Sequence, residues 1–159
     1  MDCYTTLASP VEHVFAHLAS PARLSDWLPE VMPGPADPDQ PGGLGVAFPL
    51  TMRPAATEVA GSGEVTAFEP PWLVGYRLSA GPRTVWLRAS CTAYDGGTRI
   101  HLHQSGDAPL AVDLGGLQRA LATGSTGDIT GFDQLPDRTR SRHAVPAEET
   151  PPVPRRLAP

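Results

Sequence analysis

The stretch WLVGYRLSAGPRTVWLRASCTAYDGGTRIHLHQS, residues 72–105, decides the fold. It contains three runs in which apolar and polar residues alternate, at 72–79, 84–94 and 98–105. Alternation with a period of two indicates strands that have one buried face. Glycine-containing turn sequences separate the runs, as hairpins require. We therefore predict an antiparallel three-stranded meander with one shared apolar face.

The register of this meander follows from its two turns. A turn at residues 80–83 places Ser79 opposite Thr84, and a turn at residues 95–98 fixes the second hairpin. A slip of one residue would bury Arg88, so the pairing is well specified. The predicted inward-facing pairs are Leu78 with Val85, Tyr76 with Leu87, Val74 with Ala89, Trp72 with Cys91, Ala93 with Ile100 and Cys91 with Leu102.

The middle strand of the meander presents small residues on the apolar face, namely Ala89, Cys91 and Ala93. This relief predicts a groove or pocket above the middle strand. The alternative is that a helix packs closer over the small residues, because protein cores normally fill to crystal-like density. The bulkier side chains that flank the small ones are Trp72, Tyr76, Ile100 and Leu102.

Helices and further strands complete the predicted domain. Residues Ser9–Glu12 have the form of a capping box, with Pro10 at the first helical position. The predicted elements outside the meander are an edge strand at 3–7, helices at 10–19 and from 20 to about 27, a loop over 32–45, strands at 46–52 and 57–68 with a bulge at Gly61 or Gly63, and an amphipathic helix at 109–122 that contains Gly115 and Gly116.

Composition limits the class of protein. The chain has 159 residues, 40% of them hydrophobic, with two cysteines and a net charge of -5. It lacks a charged leader and an apolar run long enough to span a membrane, so we expect a soluble, cytosolic protein. The acidic balance argues against a nucleic-acid partner. We place a domain boundary near Thr123 and expect the proline-rich residues 124–159 to be mostly disordered.

Local motifs add a family resemblance. Residues 8–15 and 24–29, together with 63–71 and 97–100, resemble the SRPBCC superfamily, which includes START-like domains and polyketide cyclases and dehydratases. The resemblance covers residues 1–123. It implies an α+β helix-grip fold, in which a curved sheet of about seven antiparallel strands grips a C-terminal helix over an apolar cavity. These motifs are scaffold signals and bring no catalytic residue with them.

Five residues are candidates for contact with a ligand. The buried phenol of Tyr76 needs a hydrogen-bond partner and is placed to orient a ligand carbonyl. Trp27 and Trp72 are placed to line the mouth of a cavity. Glu64 is the candidate inward carboxylate, with Thr66 as the alternative if the strand register differs. Cys91 faces the interior, where an apolar wall raises a thiol pKa and favours a core role over a nucleophilic one.

Metal and cofactor sites are not predicted. His101 and His103 share a face of their strand, but the register directs that face outward. His13 and His17 lie four apart on the first helix without the HExxH arrangement. A zinc site would need a third ligand at suitable spacing. We predict no metal and no cofactor.

The leading functional hypothesis is the binding of a hydrophobic small molecule in an internal cavity, with cyclase or dehydratase chemistry on a polyketide or related natural product as its catalytic form. One alternative is a protein-interaction module that resembles the chaperone ATPase-activator homologues. Another is a lipid or quinone carrier without a catalytic step. An internal void with convergent polar groups would favour binding, and a filled interior with an exposed apolar patch would favour the interaction module.

Overall fold

The computed structural model describes residues 1–35 and 43–123. Seven antiparallel strands form one sheet in the order β1-β7-β6-β5-β4-β3-β2. The strands are β1 Asp2–Leu7, β2 Val31–Pro33, β3 Ala47–Met52, β4 Val59–Glu69, β5 Leu73–Ala80, β6 Arg83–Tyr94 and β7 Gly97–Gly106; the helices are α1 Val11–Leu18 and α2 Leu114–Thr123, with 3-10 helices at Pro21–Asp26 and Pro54–Ala56. The α+β helix-grip architecture is confirmed.

The predicted meander is present as β5, β6 and β7. Its first hairpin has the predicted register, with Ser79 opposite Thr84 and Tyr76 opposite Leu87. The two-residue turn of the second hairpin lies one position earlier than predicted, at Asp95-Gly96 instead of Gly96-Gly97, so Cys91 lies opposite Ile100. Its two turn residues, Asp95 and Gly96, both have positive φ, which is typical of a two-residue hairpin loop. The predicted pairs were wrong by two residues, but an even shift leaves every side chain on its predicted face.

The apolar face of the meander, here called the inner face, is the base of the core. It packs against α1, which lies chiefly over β6. Tyr76, Ala89 and Cys91 are all buried there. Two residues depart from the prediction, because Ala93 is exposed and the Trp72 indole is half exposed. Trp72 lies in the turn just before β5, where its backbone N–H donates to the Glu69 carbonyl and its carbonyl accepts from the Cys91 N–H, so it is at the end of the sheet.

The bulge in β4 is not where the sequence placed it. The register shifts between Val65 and Ala67 rather than at Gly61 or Gly63. Those two glycines serve close packing instead: an added Cβ would overlap the Ser79 carbonyl oxygen at Gly61 and the Phe48 ring at Gly63. The sequence also missed β2, which overlaps the start of the segment predicted as a loop and pairs with β3.

Helix α1 begins without the predicted capping box. Its N-cap is Pro10, and no side chain caps the first turn. The carbonyl of Ser9 instead accepts a hydrogen bond from the Thr98 hydroxyl at 2.7 Å. This contact ties the start of α1 to β7.

Helix α2 begins at Leu114, five residues later than predicted. The Asp113 carboxylate accepts a hydrogen bond from the Gly116 N–H at 2.8 Å, which caps the first turn. Leu110 is buried but precedes the helix, because the Gln104 amide bonds both its N–H and its carbonyl. Helix α2 packs against α1 and the 3-10 helix Pro21–Asp26. No helix in the described ranges is long and apolar enough to cross a membrane.

The predictions for residues 124–159 lie outside the described residues, as does part of the predicted loop over 32–45.

Candidate functional site

Tyr76 lies at the centre of the inner face. Its hydroxyl donates a hydrogen bond to the Leu18 carbonyl at 2.8 Å. The side chain is fully buried, and this burial raises the pKa of the phenol far above its ordinary value. The polar partner that the sequence required is therefore a backbone carbonyl of α1, and the bond ties β5 to that helix.

Cys91 lies under α1 on the neighbouring strand. It is buried, and its burial raises the pKa of the thiol to about 12. A thiol of this kind is protonated at neutral pH and is a poor nucleophile. Since α1 packs over β6, the buried small residues Ala89 and Cys91 agree with the alternative interpretation of the sequence, in which a helix covers them, whereas Ala93 is exposed.

Trp27 lies where the 3-10 helix Pro21–Asp26 meets α2. Its backbone carbonyl accepts a hydrogen bond from the Asp113 N–H at 2.9 Å. Its indole is completely buried, yet the Nε1–H has no acceptor in the described part of the chain. A buried donor without a partner costs about 1–3 kcal/mol. The core therefore lacks a hydrogen-bond acceptor beside this atom.

Glu64 does not face the interior. It pairs with Arg77 across β4 and β5, and the two side chains form an ion pair on the opposite, outer face of the sheet. The next residue, Val65, is the buried one. Thr66 and Trp72 each line a groove on the outer face as well. Of the five candidates, the structure brings Tyr76, Cys91 and Trp27 into one core and leaves Glu64 and Trp72 outside it.

His101 and His103 point outward, as the register predicted. Both rings contact the same oxygen of Asp2, at 2.8 and 2.9 Å. These hydrogen bonds lower the pKa of the Asp2 carboxyl. Within residues 1–35 and 43–123, no group of three or more histidine, cysteine or acidic side chains could hold a metal ion.

His17 is a buried titratable residue that the sequence did not single out by itself. Its Nδ1 lies 3.1 Å from Nη1 of Arg23, and its Nε2 lies 3.0 Å from a carboxylate oxygen of Asp26. The second contact is close but poorly aligned for a hydrogen bond. Desolvation, followed by the charge of Arg23, lowers the pKa of His17, so the ring is neutral at pH 7.

Comparison with known proteins identifies the class. The sequence profile of the family "Polyketide cyclase / dehydrase and lipid transport" matches residues 5–132. The chain therefore belongs to this family, and the SRPBCC resemblance is confirmed. Membership supports a hydrophobic-ligand-binding domain of this type. No curated protein sequence matches the chain.

Solved structures show the same fold at low sequence identity. A protein from Chromobacterium violaceum is 16% identical with a TM-score of 0.54, covering 68% of this chain and 79% of its own. Ara h 8.0201 is 15% identical with a TM-score of 0.55, covering 77% and 94%. DynU16, from the dynemicin biosynthetic locus, is 17% identical with a TM-score of 0.56, covering 78% of this chain and 47% of its own. At these identities the likeness concerns the fold alone.

Proposed function

We propose that the protein binds a hydrophobic small molecule that carries a hydrogen-bond acceptor, in the core beside Trp27. Family membership supports a hydrophobic ligand. The observation that carries the proposal is the buried Nε1–H of Trp27, which has no acceptor among the described residues. Because an unpaired buried donor is costly, a ligand oxygen at this position would stabilise the complex.

Access to this position requires movement of α2. The inner face is filled, since Tyr76 and Trp27 are both completely buried. Helix α2 buries only Leu117 and Leu121, so less apolar surface holds it than holds the strands beneath. Its first turn lies against the Trp27 carbonyl through the Asp113 N–H. We infer that displacing α2 would open the region around Trp27.

The ligand class that fits best is a polyketide or a similar natural product. Such molecules carry carbonyl oxygens along an apolar chain, which suits the buried Nε1–H of Trp27, one of three buried polar atoms without a partner in the described residues. The Tyr76 hydroxyl is already bonded to Leu18, and the Cys91 thiol stays protonated because burial raises its pKa. These groups do not form an acid and base pair. We therefore propose binding and orientation of the ligand, with any cyclisation favoured by the conformation that the protein selects.

A matched pair of ligands tests the proposal. We would titrate 2-acetylnaphthalene and 2-ethylnaphthalene, which differ by one carbonyl, by isothermal titration calorimetry. One neutral hydrogen bond contributes about 0.5–1.5 kcal/mol, so the ketone should bind about two- to thirteenfold more tightly. Trp27→Phe should remove this preference, whereas Trp86→Phe on the outer face should retain it. Equal binding of both ligands to the wild type, or no saturable binding, would contradict the proposal.

The protein-interaction module remains the second candidate, and two observations favour it. The inner face is filled, and the outer face shows four aromatic side chains that are 45–67% exposed, namely Tyr4, Trp72, Trp86 and Tyr94. Exposed apolar groups on one face are typical of interaction surfaces. Trp72→Ser should weaken a protein complex but leave naphthyl ketone binding unchanged, which separates the two functions.

A further inference from the structure

The outer face of the sheet pairs its aromatic and cationic side chains with one another. The Tyr4 ring stacks on the His101 ring with centroids 4.3 Å apart. The remaining pairs are Arg77 over Trp86 at 5.7 Å and Arg99 over Tyr94 at 4.1 Å. Elsewhere in the described residues, Arg53, Arg83 and Arg119 form salt bridges and Arg23 contacts His17.

Two side chains of this face remain without such a partner among the described residues, namely Trp72 and Arg88. Trp72 is 50% exposed. Arg88 lies between Gly75 on β5 and His103 on β7. A Cβ added at Gly75 would lie 3.0 Å from the Ala67 Cβ, so β4 bounds the surface on that flank of Arg88.

Both unpaired side chains line one groove. This groove, here called the outer groove, has a volume of about 580 Å³ and is lined by Trp72, Leu73, Arg88, Ser90, His101 and His103, among others. A second concavity of about 360 Å³ shares Leu73, Arg88 and His103 with it and reaches Trp86. Volumes of about 300–1,000 Å³ are typical of small-molecule sites. A concave surface of this size is better suited to binding a small molecule than to binding the flat surface of a partner protein.

We propose that the outer groove is a second binding site, which takes a planar aromatic molecule with a carboxylate or phosphate group. The ring would stack on Trp72, and the anion would accept two parallel hydrogen bonds from the Arg88 guanidinium. His103 lines the groove, and its Nδ1 donates to Asp2 at 2.9 Å, so its ring forms part of the groove wall and the anion is left to the Arg88 guanidinium.

The charges around the groove support an anionic ligand. Asp2 is bonded to both histidines and Glu69 lines the adjoining concavity, so Arg88 is the group of the groove that favours an anion. Arg88 has no acidic side chain within salt-bridge distance in the described residues. Its positive charge is therefore available to a ligand. This site is on the other face of the sheet from Trp27, so it is independent of the function proposed above.

The test uses 2-naphthoate as the probe, with 2-naphthamide as its neutral counterpart. Naphthoate titrated into the full chain should shift the backbone amide resonances of residues 72–75, 86–90 and 101–103. Arg88→Gln should weaken naphthoate binding about tenfold, as loss of a charge-assisted contact does, and should leave naphthamide binding unchanged. Arg99→Gln, an arginine of the same face outside the groove, is the matched control and should bind naphthoate like the wild type.

Two further measurements make the outcome decisive. Added salt should weaken naphthoate binding to the wild type more than binding to Arg88→Gln, because the guanidinium is exposed to solvent. Trp72→Ser should also weaken naphthoate binding, and Trp27→Phe should leave it unchanged. The proposal is overturned if Arg88→Gln has the wild-type melting temperature and the wild-type affinity for naphthoate. It is also overturned if naphthoate shifts the amides around Trp27 and Trp27→Phe is the variant that loses affinity. If the outer groove is ruled out but Trp27 still confers the preference for the ketone, the proposed interior site is unaffected.

Discussion

Gly116→Ala should destabilise the protein although alanine is the better helix former. An alanine Cβ at this position would overlap the Asp26 carbonyl oxygen and lie 2.7 Å from a carboxylate oxygen of Asp113. The helix preference for alanine is worth up to about 1 kcal/mol, whereas overpacking costs about 1–3 kcal/mol. Because the nearest atom is backbone, α2 itself must shift. We expect a net loss of about 1 kcal/mol in the free energy of unfolding.

Gly115→Ala is the matched control, one residue earlier in the same turn. Its Cβ would lie 3.2 Å from Nη1 of Arg119 and 3.3 Å from Oδ1 of Asp113, and both are ends of side chains rather than backbone atoms. This variant should gain up to about 1 kcal/mol, so the two should differ by about 2 kcal/mol. Urea unfolding followed by tryptophan fluorescence measures both. If Gly116→Ala is as stable as Gly115→Ala, the contact between α2 and Asp26 is not as described.

Four other variants test the core and its charges. Tyr76→Phe should cost about 1–2 kcal/mol in a urea melt, because it leaves the buried Leu18 carbonyl without its donor. Ile100→Asp should prevent soluble folding, since a buried unpaired carboxylate is very costly, whereas His103→Gln on the outer face should melt within a few degrees of the wild type. The folded-state pKa of His17 is lowered, so its contribution to stability is complete above the unfolded value of about 6.5 and is lost as pH falls below it. Unfolding measured on both sides of pH 6.5 should show this loss in the wild type and less of it in His17→Gln.

The sheet could be predicted where the chain signals it locally. Alternation and hairpin turns are properties of adjacent residues, so they fixed the faces of β5, β6 and β7. They also placed Tyr76 and Cys91 inside and His103 outside. Resemblance to the family supplied the number of strands and the order of the helices. The register of the second hairpin depended on which two residues form the turn, and Asp95-Gly96-Gly97 offers two choices.

Other features depend on contacts between residues far apart in the chain. The glycine at position 63 has the same local signature whether it forms a bulge or makes room for the Phe48 ring. Glu64 faces outward because the bulge comes after Val65, and the sequence does not show where a bulge falls. Trp27 could be named as a candidate, but its unpaired Nε1–H is visible only when every possible acceptor has been placed.

The two proposed sites differ in the conformational change that ligand binding requires. A ligand beside Trp27 must displace α2, so its apparent affinity is reduced by the fraction of molecules in which α2 is displaced. The outer groove needs no such movement, because Trp72 is already half exposed. Loosening α2 should therefore act on one site alone. Gly116→Ala should strengthen the apparent binding of 2-acetylnaphthalene while the affinity for 2-naphthoate stays constant, and this difference would assign each ligand to its own face of the sheet.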